Sequence, residues 1–174
     1  MQQSVFLLLG SNRGDREQNL IQACAAIKKR IGNITGISSI YETEPWGFDD
    51  NTAFYNQALE VETMLSESEL LNVIHGIEKD LGRIRESASC GTECGCSNEA
   101  YSSRTIDIDI LFYASKILFT GELMIPHPRL HERRFTLIPL QEIAPDFIHP
   151  IFRESVSKLL NHCTDKGVVN RIDR

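Results

Sequence analysis

Asp107 and Asp109 alternate with Ile106, Ile108 and Ile110 in the run Arg104-Thr-Ile-Asp-Ile-Asp-Ile-Leu-Phe-Tyr113. The β-branched and aromatic content predicts a strand. Successive strand side chains point to opposite faces, so the isoleucines share one face and the two carboxylates the other, roughly 7 Å apart. Asp is disfavoured in strands, and two ionised carboxylates side by side repel. A divalent cation would offset that repulsion. An ordinary amphipathic strand with a solvated acidic face is the plainer alternative.

Other side chains could complete a phosphate chemistry. The chain has no Walker-type phosphate loop and no kinase-type glycine-rich loop, so any nucleotide must be held by other means. Arginine binds phosphate bidentately. Arg83, Arg85 and Arg104 flank a long loop, and Arg129, Arg133 and Arg134 follow Pro126-His-Pro128. A solvated basic face is the competing reading of each cluster. Glu78 lies near the end of a helical pattern, on the side of Arg85. His75 shares that helix, and His127 is held between two prolines. Cys90-Gly-Thr-Glu-Cys94-Gly-Cys96 has neither a common structural-zinc spacing nor a fourth ligand nearby, and reads as incidental thiols in a loop.

The elements that must position these groups are legible in outline. Val5 to Leu9 is a short apolar strand, with Gly10-Ser11-Asn12 as a turn signal. A helix over about Asp15 to Ile31 carries Leu20, Ala23, Cys24, Ile27 and Ile31 at spacings of three and four, with Asp15 as its cap and Gly32-Asn33 as its end. Ile34 to Tyr41 reads as a strand, Glu42 to Thr52 as a loop and Phe54 to Glu62 as a third strand. Ser66 and Glu69 form a capping-box signature for a helix to about Leu81, buried along Leu70, Ile74, Ile77 and Leu81. Residues 86–103 form a long loop rich in Ser, Gly, Cys and Glu, the sort that serves as a lid or binding loop. Lys116 to Phe119 is the expected hairpin partner of the Asp strand. His131 to Ile143 is helical with an interruption at Pro139, and Ser155 to His162 is a last short helix. The order is β-α-β-β-α-β with a C-terminal extension. That predicts an α+β, ferredoxin-like antiparallel sheet with helices on one face, in one domain over residues 1–174.

Composition narrows the function classes. The chain has 174 residues, is 41% hydrophobic and 24% charged, and carries a formal net charge of −6. A general nucleic-acid surface is disfavoured by that charge, and no apolar run is long enough to span a membrane. The N-terminus lacks a secretory pattern, so a cytoplasmic location is the default expectation, consistent with five cysteines and no paired framework. No oligomeric signal is visible, and a monomer is the working expectation.

Seven motifs stand in order: Gly10-Ser11-Asn12, Tyr41-Glu-Thr-Glu-Pro-Trp-Gly47, Phe54-Tyr-Asn56, Glu78 with Gly82-Arg-Ile-Arg85, Arg104-Thr-Ile-Asp-Ile-Asp-Ile110, Pro126-His127 and Arg133-Arg-Phe135. Together they resemble the 6-hydroxymethyl-7,8-dihydropterin pyrophosphokinase family of the folate pathway. The similarity runs from about Val5 to Pro150. It implies the ferredoxin-like fold and transfer of pyrophosphate from ATP to the pterin hydroxymethyl group, with release of AMP. It further implies two Mg²⁺ ions on Asp107 and Asp109, with Arg83 and Arg104 stabilising the transferred charge. Arg85, His127 and Arg133 would contact phosphates, with His75 and Glu78 near the nucleotide and Ile110 beneath the adenine. Phe54 and Phe135 would sandwich the pterin, Asn56 would read its edge, and Thr43, Pro45 and Trp46 would line the pocket. The chain departs from the common family run R-W-G-P-R, carrying Ala100-Tyr-Ser-Ser-Arg104 instead. A non-catalytic regulatory module, or a metal-binding domain built on the cysteine loop, would share the fold but would not bring these groups together.

Overall fold

The computed structural model describes residues 1–44, 52–82 and 105–172. An antiparallel sheet is built from β1 (Gln3–Ser11), β2 (Gly32–Ile37), β3 (Tyr41–Thr43), β4 (Phe54–Thr63), β5 (Asp107–Tyr113) and a late strand, β8 (Val169–Arg171). The strand order is β5-β1-β4-β3-β8, with β2 also on β4, and all described pairings within it are antiparallel. A small separate ladder joins β6 (Leu118–Phe119) to β7 (Met124–Ile125). The helices are α1 (Arg16–Arg30), α2 (Glu67–Asp80), α3 (Arg134–Ile143) and α4 (Val156–His162), with a 3-10 turn at Leu130–Glu132.

Strand β1 is the centre of the molecule. Its run Val5 to Leu9 is apolar without alternation, which is the pattern of a strand covered on both faces. Val5, Leu7 and Leu9 point into a core formed with Leu20, Ala23 and Ile27 of α1 and Leu70, Ile74 and Ile77 of α2. Phe6 and Leu8 point into a second core with Leu137 and Leu140 of α3 and Val156 and Leu159 of α4. The expectation of helices on one face therefore holds only for α1 and α2. Burial of a Leu or Phe side chain is worth roughly 1.5–3 kcal/mol, so Phe6 and Leu8 could not be left to solvent, and the C-terminal segment covers them.

Other boundaries moved for local reasons. The expected turn at Gly10-Ser11 is instead the end of β1, with Gly10 and Ser11 paired to Asn56 and Tyr55. Gly32 opens β2 rather than only closing α1: a Cβ there would lie 1.9 Å from the Glu62 carbonyl oxygen. The single strand expected over Ile34 to Tyr41 is two strands, separated at Ser38, whose hydroxyl oxygen accepts from Ala58 N at 2.9 Å and stands in for the ladder. Helix α3 continues through Pro139, which is buried with Thr136, Leu137 and Leu140, so packing overrides the lost backbone donor. The caps at Asp15 and Ser66 stand where expected: Asp15 accepts from Gln18 N at 3.0 Å and Glu69 reaches back to Ser66 N at 2.8 Å.

His149 ties the C-terminal cover together. It is buried, its ring is 5.3 Å from Phe112 and 4.5 Å from Phe152, and its Nδ1 accepts from Ile151 N at 3.2 Å and Phe152 N at 3.3 Å. Burial, with His131 nearby, pushes its imidazole down to about 4. A base depressed on folding stabilises the fold fully above its unfolded value and loses that contribution as pH falls toward the folded one. Stability should therefore decline between about pH 6.5 and 4, by up to about 3 kcal/mol from this group. Imidazole NMR should show His149 titrating near the lower value, and titration at an ordinary histidine pKa would contradict the packing described.

Candidate active site

Four strands bring the site together in one row. Gly10 of β1 is in register with Asp107 of β5 on one side and with Asn56 of β4 on the other, and Asn56 is in register with Tyr41 of β3. Side chains of directly paired residues lie on the same face, so Asp107 and Asn56 face the same way across Gly10, roughly 10 Å apart by strand spacing. In the next row Asp109 is opposite Leu8. Leu8 belongs to the α3 core, which fixes the side on which both carboxylates stand. A register shift between Phe6 and Leu7 lets β5 send both Leu111 and Phe112 into that same core while keeping Asp107 and Asp109 partly exposed.

Gly10 is small for a reason. A Cβ at that position would lie 3.3 Å from Asn56 Oδ1 and 3.8 Å from Phe54 Cδ1. A side chain would press on both groups and fill the space between the amide and the carboxylates. Asn56 is itself buried, and its Nδ2 donates to Thr43 Oγ1 at 2.7 Å. The Thr43 hydroxyl thus orients the amide that the sequence motif singles out.

The Asp strand is held from its outer edge. Glu78, buried in α2, accepts from Ile108 N at 3.0 Å. Ile108 lies between the two aspartates, so this bond fixes the backbone from which both project. Farther along the same edge, His127 N donates to Leu111 O at 3.0 Å. At the strand's start, Ser11 Oγ donates to Thr105 O at 2.6 Å and accepts from Asn19 Nδ2 at 3.1 Å. The expected hairpin partner, Lys116 to Phe119, does not lie on this edge; β6 pairs with β7. A carboxylate and a loop amide occupy the edge instead. Ser11 and Thr105 stand in two of the motifs that carry the family resemblance but are given no role there, and Asn19 is not singled out.

His127 stands within electrostatic reach of Asp107. Burial, then the Arg133 guanidinium, push its imidazole down to about 4, against an upward pull from Asp107, with Arg129 adding to the depression. It is therefore neutral at neutral pH. Its Nδ1 accepts from Arg129 N at 3.2 Å, which leaves the proton on Nε2. Arg133 is buried at the N-terminus of α3, with its guanidinium carbon 5.6 Å from the Phe135 ring centre. The start of α3 is tied by Asp165, whose Oδ2 accepts from Arg134 N at 2.9 Å, and its other end by Glu142, which accepts from Ser39 N at 2.8 Å, Ser39 Oγ at 2.8 Å and Tyr41 Oη at 2.9 Å.

The described site residues thus divide. Asp107, Asp109, Asn56, Thr43 and Phe54 share one face of the sheet, and His127, Arg133 and Phe135 come from the segment beside it. His75 lies three residues before Glu78, on the same side of α2. The Ile110 side chain points the other way, into the core beneath α1 and α2. Pro45, Trp46, Arg83, Arg85 and Arg104 lie outside the described residues, as do Cys90, Cys94, Cys96, Tyr101 and the loop 86–103. Among the described residues no cluster of three or more His, Cys, Asp or Glu side chains could hold a metal ion. Two same-face carboxylates nevertheless suit Mg²⁺, which keeps water and substrate phosphate as its other ligands.

The pattern that matches residues 6–145 is that of the 7,8-dihydro-6-hydroxymethylpterin-pyrophosphokinases. The chain belongs to that family. It is accordingly a transferase, a pyrophosphokinase of folate synthesis. It is 41% identical over 145 residues to the 2-amino-4-hydroxy-6-hydroxymethyldihydropteridine pyrophosphokinase of Bacillus subtilis, covering 83% of this chain and 80% of that one. The Aquifex aeolicus enzyme of the same name is 38% identical over 155 residues, 89% of each chain. A crystal structure of Plasmodium falciparum HPPK-DHPS with pteroate superposes with a TM-score of 0.72 at 18% identity, over 93% of this chain and 42% of that longer one, and shows the shared fold.

Glu78→Ala would leave the Ile108 N–H buried without its acceptor, at a cost of about 1–3 kcal/mol. The pyrophosphokinase variant should melt lower, and its Ile108 amide should exchange faster than the amides of β1. Unchanged exchange at Ile108 would show that Glu78 does not anchor the Asp strand.

Proposed function

We propose that this chain transfers pyrophosphate from ATP to the hydroxymethyl group of 6-hydroxymethyl-7,8-dihydropterin and releases AMP, by in-line attack on the β-phosphorus with two Mg²⁺ ions. The observation that carries the reading is the single row Asp107–Gly10–Asn56. An amide that can read a pterin edge and a carboxylate that can hold a metal stand on the same face, one to either side of a residue with no side chain. That spacing suits a flat bicyclic ring whose hydroxymethyl arm reaches toward metal-bound phosphate.

Bound at Asp107 and Asp109, Mg²⁺ would neutralise phosphate charge, align the phosphate chain and acidify the attacking hydroxyl. The remaining work falls to the protein. Asn56, with its amide orientation fixed by Thr43, offers both a donor and an acceptor to the aminopyrimidinone edge. Phe54 and Phe135 stack on the ring. His127 presents Nε2–H as a neutral donor, so it contacts phosphate without needing to lose a proton. Arg133 adds charge on that side, and Arg83, Arg85 and Arg104 supply the rest by family resemblance. Pro45 and Trp46 line the pterin pocket and His75 and Glu78 the nucleotide side on the same ground. Ile110 meets the adenine only through its backbone edge, because its side chain is in the core.

The strand order, with β1 central and α1 and α2 on one face, supports a ferredoxin-like core within a single domain over residues 1–174. No described helix is long and apolar enough to cross a membrane. We take the enzyme to act as a cytoplasmic monomer on two small-molecule substrates, without nucleic acid.

AMP release from ATP should depend on the pterin alcohol. Asp107→Ala and Asp109→Ala should each fold with nearly the parent melting temperature and lose about a hundredfold or more in turnover, since a metal clamp supplies several kcal/mol to the transition state. Near-normal turnover of both variants at saturating Mg²⁺ would sink the assignment. Phe135→Ala should weaken pterin binding well beyond ATP binding, with the stacking contribution on the order of 1 kcal/mol beyond burial. Calorimetry that finds equal losses for the two ligands would count against the sandwich.

A further inference from the structure

Arg16 is placed where a helix does not want it. It is the first residue of α1, directly after the Asp15 cap, and a cation there opposes the helix dipole. Its partners lie elsewhere. Nη1 donates to Glu42 Oε1 at 3.0 Å and to the Ala53 carbonyl oxygen at 2.8 Å, and the guanidinium carbon sits 3.8 Å from the centre of the Tyr55 ring.

Those three contacts have a shared geometry. Glu42 and Tyr55 are directly paired across β3 and β4, and so are the neighbouring Thr43 and Phe54. Ala53 is the residue immediately before β4. Side chains alternate along a strand, so Glu42 and Tyr55 are on the α1 face while Thr43, Phe54 and Asn56 are on the site face. Arg16 therefore grips, from behind, the end of the two-strand ladder whose front carries the pterin side of the site. The Arg16 side chain is 23% exposed and that of Glu42 39%. An ion pair so open to water adds little stability by itself. Its value lies in geometry, because one planar cation fixes two chain segments and stacks on a third group.

We propose that Arg16 is a positioning residue for pterin specificity: it holds the Thr43–Phe54 end of the β3–β4 ladder in register, and through it sets the Phe54 ring and the Asn56 amide. This rests on the assignment of Thr43, Phe54 and Asn56 to the pterin. Arg16 touches no substrate in this scheme, and the nucleotide side, built on β5, should be indifferent to it.

The test is steady-state AMP release by the parent, Arg16→Met, Arg16→Lys and Glu42→Gln, with hydrogen exchange measured on the same proteins. Arg16→Met should raise the pterin KM about five- to tenfold, while kcat and the ATP KM stay within about twofold. Arg16→Lys keeps the charge but loses the planar fork and should fall between parent and Met. Glu42→Gln leaves the Ala53 contact and the ring stack, so its pterin KM should rise less than that of Arg16→Met. Amides of residues 41–43 and 54–56 should exchange faster in Arg16→Met, with those of β1 and β5 unchanged. If the Met variant does not fold, the Lys variant carries the same comparisons. A pterin KM within about twofold of the parent, an equal rise in both KM values, or unchanged exchange at residues 41–43 and 54–56 overturns the proposal. A parent that releases no AMP with the pterin alcohol overturns the functional reading instead, and the exchange data then decide the clamp by themselves.

Discussion

Strand β1 is hydrogen-bonded along both edges, and its register at Gly10 is the constraint on which the site depends. A slip of one residue on either side would turn every side chain of the partner strand to the opposite face. Asp107 and Asp109 would then face α1 and α2, or Asn56 would. The two cores prevent this. Val5, Leu7 and Leu9 are committed to one face and Phe6 and Leu8 to the other, so no alternative register buries both sets. The alignment of an amide with a carboxylate across a glycine is thus fixed by hydrophobic burial on both sides of a strand that does no chemistry itself.

The Asp strand lies at a sheet edge, where backbone groups would otherwise stand open to a foreign strand. Here the edge is closed by groups that belong to the site's own frame. Glu78 takes the Ile108 amide, and the His127 amide takes the Leu111 carbonyl. One side of β5 is then tied to β1 and the other to α2 and the His127 loop. The carboxylates project from a backbone hydrogen-bonded on both sides.

The site separates its tasks by chemistry. Neutral hydrogen bonding and aromatic surface come from β3, β4 and the start of α3. Charge comes from β5 and from the segment between β7 and α3. His127 sits at the boundary and is kept neutral by burial and by Arg133. A protonated imidazole there would add to the cationic side. A neutral one contributes a directed donor without changing the charge. Glu142 and Tyr41 fix α3 against β3, so Phe135 is aligned from the same strand that supplies Thr43. Burial and the Glu142 carboxylate push the Tyr41 phenol up to about 12, which keeps it a donor throughout the working pH range.

The sequence by itself determined what depends on local periodicity and on residue chemistry. The caps at Asp15 and Ser66, the buried stripe of α2, and the alternation of Asp107 and Asp109 with isoleucines could all be read from spacing. The candidate roles of Asn56, Phe54, His127 and Phe135 came instead from the family resemblance that seven motifs in order carry. Only the tertiary structure decided what depends on partners distant in the chain. Glu78 reads as a helix residue near a nucleotide, and it takes three-dimensional packing to deliver its carboxylate to Ile108, thirty positions away. Gly10 reads as a turn former, because nothing local says that two other strands will meet it with Asn56 and Asp107. The second helical layer was foreshadowed by the unbroken apolar run of β1, but which segment would cover it was not. A side chain's type is a local property. Its role comes from neighbours that the chain acquires only when two hydrophobic cores close on the same strand.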